Sequence, residues 1–279
     1  MWTPAEVKQV RDGLHGRVGG FFRNAVRVPG TTCAVCTVVV SGGYQRCYRC
    51  KVADDEWGAR LADVVMPLAY AYERIGNNRA RLGRHQSEHH MWSYKRIQPG
   101  PGPVTDLTMM LLVALQWHRQ CAQTRVGRPW EVWTSVPSSK HARMGQHPLV
   151  QVGVDAGLGR PNTGLAIDYA EMRLMGDPSG DRIVRAGRFE VVDPRLVSGR
   201  HVLLLEDTWV TGSSPQSAVL ALKDAGAAAV TVLCLARWLS EKDSRVDVAG
   251  FVAGLAPYYD ALACPIGGGQ PCAGPPSNA

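Results

Sequence analysis

The sequence predicts an α/β fold, with a mainly parallel sheet flanked by helices and a small cysteine-rich domain before it. The first observation is the stretch from Arg200 to Arg237, where an apolar strand, a polar loop, a helix and a second apolar strand follow one another. This order is typical of the βαβ unit of parallel sheets. The second observation is another strand, Trp130–Val136, which also ends in a hydroxyl-rich loop. The third is a pair of C-x2-C motifs near the N-terminus.

Composition and charge narrow the class of protein. The chain has 279 residues, of which 45% are hydrophobic and 20% charged, as is typical of a globular protein with a full core. A net charge of +7 favours an anionic partner, either a polyphosphorylated substrate or nucleic acid. No apolar run reaches the roughly 18 residues of a membrane span, and the N-terminus does not resemble a signal peptide. We therefore expect a cytoplasmic protein without a membrane partner, whose cysteines are reduced or metal-bound.

The four N-terminal thiols predict a metal site. Cys33 and Cys36 form one C-x2-C pair and Cys47 and Cys50 the other, with ten residues between the pairs. The intervening residues are typical of a small hairpin that would bring the pairs together. Four thiolates in a tetrahedral array are a closed, structural zinc site. A redox dithiol or an iron–sulfur site is the alternative, and a zinc ribbon can either brace the fold or bind nucleic acid or protein.

Helical spacing, a Pro/Gly-rich linker and the positions of the cysteines divide the sequence into five predicted segments. Asp55–Ile75 has apolar residues at helical spacing, Gln98–Pro103 is typical of a stiff linker, and Asp106 can cap the helix that follows. Cys121 is predicted to be a small buried apolar residue, whereas Cys264 and Cys272 could pair, bind a metal or be unstructured. The predicted segments are a helix and connector (1–30), a zinc ribbon (31–52), a helical linking region (53–103), the α/β domain (104–263) and a flexible Gly/Pro-rich tail (264–279).

The loop after the central strand has the chemistry of a sugar phosphate site. Two carboxylates, Glu206 and Asp207, follow the apolar run, and a hydroxyl-rich loop then leads to a helix with Ser214 as its N-cap and Gly226 just past its end. Successive N–H groups, hydroxyls and the positive end of the helix suit a phosphate. Carboxylates suit a cis-diol and a divalent cation. Together these groups describe a ribose 5-phosphate, and the alternative is an ordinary buried strand followed by an ordinary loop.

The segment LLLEDTWVTGSS resembles the signature of the type I phosphoribosyltransferases. The resemblance implies that Glu206 and Asp207 hold the ribose hydroxyls of phosphoribosyl pyrophosphate (PRPP) and that Asp207 helps to balance charge on the sugar. It also implies that the loop after them holds the 5-phosphate and that the loop after Val136 holds pyrophosphate; a plain surface turn is the alternative for this second loop. The implied phosphate loop is Thr208, Trp209, Val210, Thr211, Gly212, Ser213 and Ser214, and the implied pyrophosphate residues are Ser138, Ser139 and Lys140, with Arg143 beyond them.

A second resemblance narrows the family. The cysteine pairs, the segment MWSYK and the pattern S-V-P-S-x-x-x-x-R-x-G are together similar to the ComF/GntX branch, which carries a zinc ribbon before the phosphoribosyltransferase domain. This branch usually has an R-G-F-N-Q segment where the present chain has Arg143-Met-Gly-Gln-His-Pro. The resemblance implies structural zinc and catalytic Mg²⁺.

Two functions follow as hypotheses. The first is a Mg²⁺-dependent phosphoribosyltransferase in which Glu206, Asp207 and Lys140 serve catalysis and an unknown acceptor attacks the ribose. A polar, arginine-rich segment, Glu171–Arg188, could close over its substrate as a hood, and a solvated loop is the alternative. The second hypothesis is a non-catalytic PRPP-fold regulator, or a ComF-like accessory protein in DNA uptake or processing, with a nucleic acid or protein partner. Both leave a homo-oligomer open.

Overall fold

The computed structural model describes residues 4–96, 98–138, 147–161, 163–175, 182–267 and 272. The helices are α1 (Pro4–Val18), α2 (Tyr48–Trp57), α3 (Gly76–Leu82), α4 (Gln86–Ser93), α5 (Pro101–Trp117), α6 (Arg119–Val126), α7 (Pro148–Asp155), α8 (Ser213–Asp224) and α9 (Val248–Gly254). The strands are β1 (Arg23–Asn24), β2 (Val64–Glu73), β3 (Val132–Ser135), β4 (Asp168–Tyr169), β5 (Met172–Leu174), β6 (Phe189–Val191), β7 (His201–Trp209) and β8 (Ala229–Ser240). Within these ranges no helix is both long and apolar enough to cross a membrane.

A six-stranded sheet with the order β1-β2-β8-β7-β3-β4 forms the centre of the fold, and β5 and β6 make a separate antiparallel pair. Strand β3 runs parallel to both of its neighbours, with Val132 opposite Val202 in β7 and opposite Asp168 in β4. The short edge strand β1 is antiparallel to β2. The predicted α/β fold with a mainly parallel sheet is confirmed.

The chain forms two compact units, each with more contacts within itself than with the other. The first consists of Met1–Cys47, Pro67–Arg119 and Leu235–Ala279, and the second of Tyr48–Met66 and Gln120–Cys234. Each unit combines stretches that are distant in sequence. The segment limits predicted from the sequence stay a prediction.

The core of the second unit is built around β7. Its residues 202–205 are at most 1% exposed, as expected for a parallel strand covered on both faces. Helix α8 packs against β7 and β6 through an apolar face that includes Val219 and Leu222. Trp133, in β3, lies so close to Gly153 in α7 that a Cβ on the glycine would meet the indole at 2.8 Å. These contacts fix α7 and α8 beside the ends of β3 and β7.

In the first unit, α1 packs against α5 and a buried polar network joins them to α4. Asp106, in α5, is 5% exposed and accepts a hydrogen bond from His90 Nε2 at 2.8 Å. Arg17, in α1, forms an ion pair with the same carboxylate. Asp106 is therefore not the helix cap that the sequence predicted, because α5 already begins at Pro101.

Two further secondary-structure predictions are wrong. The helix predicted for Asp55–Ile75 ends at Trp57, and Val64–Glu73 is strand β2 instead. Nine consecutive residues of β2 are buried, so both of its faces are covered, and a continuous apolar run of this kind satisfies helical spacing by chance. The predicted linker Gln98–Pro103 contains the first turn of α5, where proline at the first helical position is favourable.

Candidate functional site

The candidate site lies where β3 and β7 end. Ser135 pairs with Leu205, and the next amide, Val136 N–H, donates to the Leu205 carbonyl at 3.0 Å. Because the strands are parallel, the carboxylates that follow Leu205 and the loop that follows Val136 leave the same edge of the sheet. This is the edge at which open α/β sheets bind ligands.

Glu206, in β7, holds the backbone of the strand residues that follow it. Its Oε1 accepts hydrogen bonds from the amides of Asp207 at 2.9 Å and Thr208 at 3.3 Å. The residue is only 7% exposed, so these bonds are made in a largely desolvated environment. One carboxylate of the acidic pair thus braces the end of β7. Thr208 and Trp209, which the sequence placed in the loop, are the last two residues of this strand, so the loop begins at Val210.

Asp207, the second carboxylate, lies beside a histidine that the sequence analysis missed. His147 Nε2 is 3.7 Å from Asp207 Oδ2, and both side chains are 8% exposed. His147 caps α7, because its Nδ1 accepts the Leu149 amide at 3.1 Å. In the neutral imidazole the proton must then be on Nε2, so an N–H points toward the Asp207 carboxylate. The sequence signal was His147-Pro148, a capping residue followed by proline at the first helical position.

The indole of Trp209 packs against Gly212, in the loop that leads to α8. The whole residue is 1% exposed, so the predicted phosphate-binding residue Trp209 is buried in this structure. A Cβ built on Gly212 would lie 2.5 Å from Trp209 Cζ2 and 2.7 Å from Cε2. Gly212 also has φ of +84°, in the left-handed region that favours glycine. The bulky tryptophan and the glycine therefore fit each other as a pair.

Hydroxyl groups surround the start of α8. The Thr211 hydroxyl donates to Ser213 Oγ at 3.1 Å and lies 3.4 Å from the Ser213 amide, which donates to it. Helix α8 begins at Ser213 with Gly212 as its N-cap, two residues before the predicted cap Ser214, while Gly226 has φ of +90° just past the helix end, as predicted. The Thr208 hydroxyl is buried and makes no hydrogen bond within the described ranges.

The rest of the predicted site is described only in part. Ser138 is half-buried at the end of β3, whereas Ser139, Lys140 and Arg143 lie outside the described residues. In the predicted hood, Arg173 pairs with Glu171 at the surface, and the Arg185 amide donates to Ser217 Oγ in α8 at 2.8 Å. Arg185 therefore lies next to α8, and the role of the segment over a substrate stays a prediction.

Tyr169 lies in β4, beside the strand that leads to Ser138. Burial raises the pKa of the Tyr169 hydroxyl, against a hydrogen bond with Ser135 that lowers it. Trp133 and Tyr169 are neighbours on these two strands, with ring centroids 4.7 Å apart. The phenol is thus held protonated at neutral pH, next to the end of β3.

The four N-terminal cysteines come together as the sequence predicts. The sulfur atoms of Cys33, Cys36, Cys47 and Cys50 all lie within 4.8 Å of one another, and the Cys36 and Cys47 sulfurs are 3.8 Å apart. A tetrahedral zinc site with Zn–S bonds of about 2.3 Å requires sulfurs about 3.8 Å apart. Thr37, directly after Cys36, has φ of +61°. Its carbonyl oxygen accepts a hydrogen bond from the buried Tyr70 hydroxyl at 2.7 Å. The cluster fits a structural zinc site.

Comparison with known proteins gives distant structural similarity. The chain is similar to adenine phosphoribosyltransferase from Saccharomyces cerevisiae, with 14% identity, 53% of this chain and 76% of that chain covered, and a TM-score of 0.33. A phosphoribosyltransferase from Corynebacterium diphtheriae matches with 20% identity, 52% and 82% coverage and a TM-score of 0.29. A hypoxanthine phosphoribosyltransferase from Staphylococcus aureus matches with 13% identity, 56% and 85% coverage and a TM-score of 0.30.

No protein-family model matches the sequence, and no curated protein does. At these low identities and TM-scores we draw nothing about activity from the structural matches. The fold is assigned from the strand order and register of this chain. The proposal for its function is based on the residues at the ends of β3 and β7.

Proposed function

We propose that this protein is a Mg²⁺-dependent phosphoribosyltransferase that uses PRPP. The observation that carries the proposal is the run from Glu206 to Ser214, in which two buried carboxylates, a hydroxyl-rich loop and the start of a helix follow one another at the carboxyl edge of the sheet. A ribose 5-phosphate has a cis-diol at one end and a phosphate at the other, and the run offers acceptors and donors in the same order.

Each part of the run has a distinct role in this proposal. Asp207 accepts hydrogen bonds from the ribose hydroxyls, while Glu206, already bonded to two amides, keeps the chain in the shape that presents Asp207. The loop hydroxyls of Thr211 and Ser213 and the N-terminal end of the 12-residue helix α8 bind the 5-phosphate. Gly212, seated on Trp209, lets the backbone approach the phosphate without a side chain in the way.

The proposed reaction is a displacement at the ribose C1. The bond from C1 to the pyrophosphate oxygen breaks, a bond from C1 to the acceptor forms, and the acceptor loses its proton as pyrophosphate leaves. Mg²⁺ supplies charge neutralisation on the pyrophosphate when bound. The protein positions the sugar and balances the positive charge that develops on it, chiefly with the Asp207 carboxylate, and Lys140 would assist the leaving group. His147 lies beside this carboxylate, with its Nε2 3.7 Å from Asp207 Oδ2.

The experiment is calorimetric titration of the protein with PRPP and Mg²⁺. The test variant is Asp207→Asn, which keeps the size of the side chain and removes its charge. A matched control is Asp168→Asn, since Asp168 is 70% exposed and lies opposite Val132, away from the carboxyl ends of the strands. We expect saturable binding in the wild type and the control, and at least a tenfold weaker affinity in Asp207→Asn, equal to about 1.4 kcal/mol. Wild-type protein that does not bind PRPP would refute the proposal.

A second candidate is a PRPP-binding regulator or ComF-like accessory protein that acts on DNA. The cysteine cluster and the net charge of +7 favour a nucleic acid partner. Binding of PRPP without pyrophosphate release, over a panel of nucleobase and amine acceptors, would support this candidate. In that case we expect salt-sensitive binding of single- or double-stranded DNA that persists in Asp207→Asn.

A further inference from the structure

A second group of metal-binding side chains comes from the C-cap of α5, from α6 and from the C-terminal segment. It consists of His118, Cys121, Cys264 and Cys272, with one ligand atom from each residue, and these four atoms lie within 4.8 Å of one another. His118 is 1% and Cys264 5% exposed, and the other two thiols are half-buried. Cys121 is therefore not the buried apolar residue that the sequence predicted, because its thiol belongs to a polar cluster.

The histidine is oriented as a metal ligand. His118 Nε2 lies 2.9 Å from the carbonyl oxygen of Ala261, and a carbonyl oxygen can only accept. The neutral imidazole therefore carries its proton on Nε2, and the lone pair of Nδ1 points at the thiols, 3.0 Å from Cys272 Sγ. A ligating histidine almost always donates its other ring N–H to a carbonyl or carboxylate, which fixes the ring and the tautomer.

Cys264 lies at the start of a turn that resembles a metal-binding knuckle. The Gly267 amide donates to Cys264 Sγ at 3.3 Å. Such N–H groups stabilise the negative charge of a thiolate, which is the form that binds a metal. Pro265 follows the cysteine directly, and the residues from Cys264 to Gly267 form a tight turn.

Contacts that need no metal hold the C-terminal segment in place. Asp260 forms a bidentate pair with Arg11 in α1 and exchanges two hydrogen bonds with Asn24 in β1, at 2.7 and 2.8 Å. The Tyr259 amide donates to the Gly19 carbonyl at 3.2 Å. These contacts place Cys264 and the Ala261 carbonyl beside His118 before any ion binds, which lowers the cost of forming the site.

We propose that His118, Cys121, Cys264 and Cys272 bind a second structural Zn²⁺, separate from the site of the N-terminal cysteines. Three thiolates and one imidazole are a closed tetrahedral set without an open position for substrate, as in structural zinc sites. A disulfide would use only two of the three thiols and would leave the oriented Nδ1 without a function. The ion ties the C-terminal segment to the junction of α5 and α6. This proposal does not depend on the transferase activity.

Metal content measured by mass spectrometry of the purified full-length chain tests the proposal. We expect about two zinc ions per chain in the wild type and about one in Cys264→Ser or in Cys33→Ser, since each variant disrupts one tetrahedral set. Cys234→Ala is the matched control, because Cys234 is the one cysteine of the eight outside both clusters, and it should keep about two ions.

Two measurements keep the proposal testable if Cys264→Ser does not fold. His118→Cys provides a four-thiolate set and should keep the second ion, whereas His118→Ala should bind it at least tenfold more weakly in competition with a chelator. In the wild type, titration of the thiols with a mercurial should release about two zinc ions. A wild-type content of one zinc per chain, with the second cluster found as a disulfide or as free thiols, would overturn the proposal. Iron as the second ion would overturn it too.

Discussion

Substitution of Gly212 by alanine tests the pairing of this residue with Trp209. The new Cβ would meet three ring atoms of Trp209 at 2.5 to 2.9 Å, on a side chain that is 1% exposed and cannot swing into solvent. Overpacking of this kind costs about 1–3 kcal/mol. The φ of +84° adds about 1–2 kcal/mol for any residue with a Cβ. We therefore expect Gly212→Ala to lower the free energy of unfolding by about 2–5 kcal/mol.

A matched control separates the two contributions. Gly199 has φ of +71°, and a Cβ added there would have no atom within 4 Å, so Gly199→Ala carries the backbone cost alone. The assay is denaturant or thermal unfolding of the three proteins. A cost of 1 kcal/mol corresponds to a shift in Tm of roughly 2–4 °C for chains of this size. We expect Gly212→Ala to unfold roughly 2–12 °C below Gly199→Ala, in proportion to the overpacking cost.

A double-mutant cycle identifies the partner. Trp209→Leu removes the ring atoms that the alanine would meet, so adding it to Gly212→Ala should cost less than the sum of the two single changes, with a coupling of about 1–3 kcal/mol. If Gly212→Ala is no less stable than Gly199→Ala, or if the two changes are additive, the steric reasoning is refuted. PRPP titration of the folded variants then shows whether loop shape and affinity change together.

The remaining predictions concern buried polar groups and the acidic pair. Asp106→Ala should lower the free energy of unfolding by about 1–3 kcal/mol, because it leaves the buried His90 Nε2 without its hydrogen-bond partner. Asp12→Ala breaks only an exposed pair with Lys8 and should change stability much less; chemical denaturation measures both. Burial, with Arg74 and Arg23 nearby, lowers the pKa of His85 to about 4, so the unfolded chain binds the proton more readily and stability should fall as pH falls from about 6.5 to about 4. NMR titration of the histidines checks this, and Arg74→Ala should raise the pKa of His85. Glu206→Gln should weaken PRPP binding less than Asp207→Asn, because the amide oxygen of glutamine can still accept from the two backbone N–H groups; calorimetry compares them.

The sequence predicts the centre of the second unit well, because its main features depend on residues that are neighbours in the sequence. In β7 and α8 the apolar run, the polar loop and the glycine after the helix are each determined by residues close in the chain. Strand β7 is buried on both faces, so its hydrophobic run is unbroken and easy to recognise. The loops after β3 and β7 are expected at one edge, because parallel strands end at the same edge of a sheet. Direct pairing of β3 with β7 does not follow from the βαβ rule, since β4, β5 and β6 lie between them in the chain.

The errors arise where local patterns have two solutions. Strand β2 has apolar residues at spacings that suit either a helix or a fully buried strand, and only its place in the sheet decides between them. The second Cys/His cluster was missed for a different reason. His118 and Cys121 are close together in sequence, but the other two thiols come from the far end of the chain, so only the folded structure shows that the four belong together.

The two residues of the acidic pair have different surroundings in the structure, and the sequence motif alone does not distinguish them. A resemblance assigns Glu206 and Asp207 the same role, since both are carboxylates at the end of one strand. Successive residues of a strand point to opposite faces, so the two side chains enter different environments. Glu206 accepts the amides of Asp207 and Thr208 at the end of β7, whereas Asp207 lies beside His147, whose Nε2 is 3.7 Å from its Oδ2. Loss of Glu206 should therefore change the end of β7, and loss of the Asp207 charge should change the ligand site, so a variant that replaces both acids by alanine would confuse the two effects.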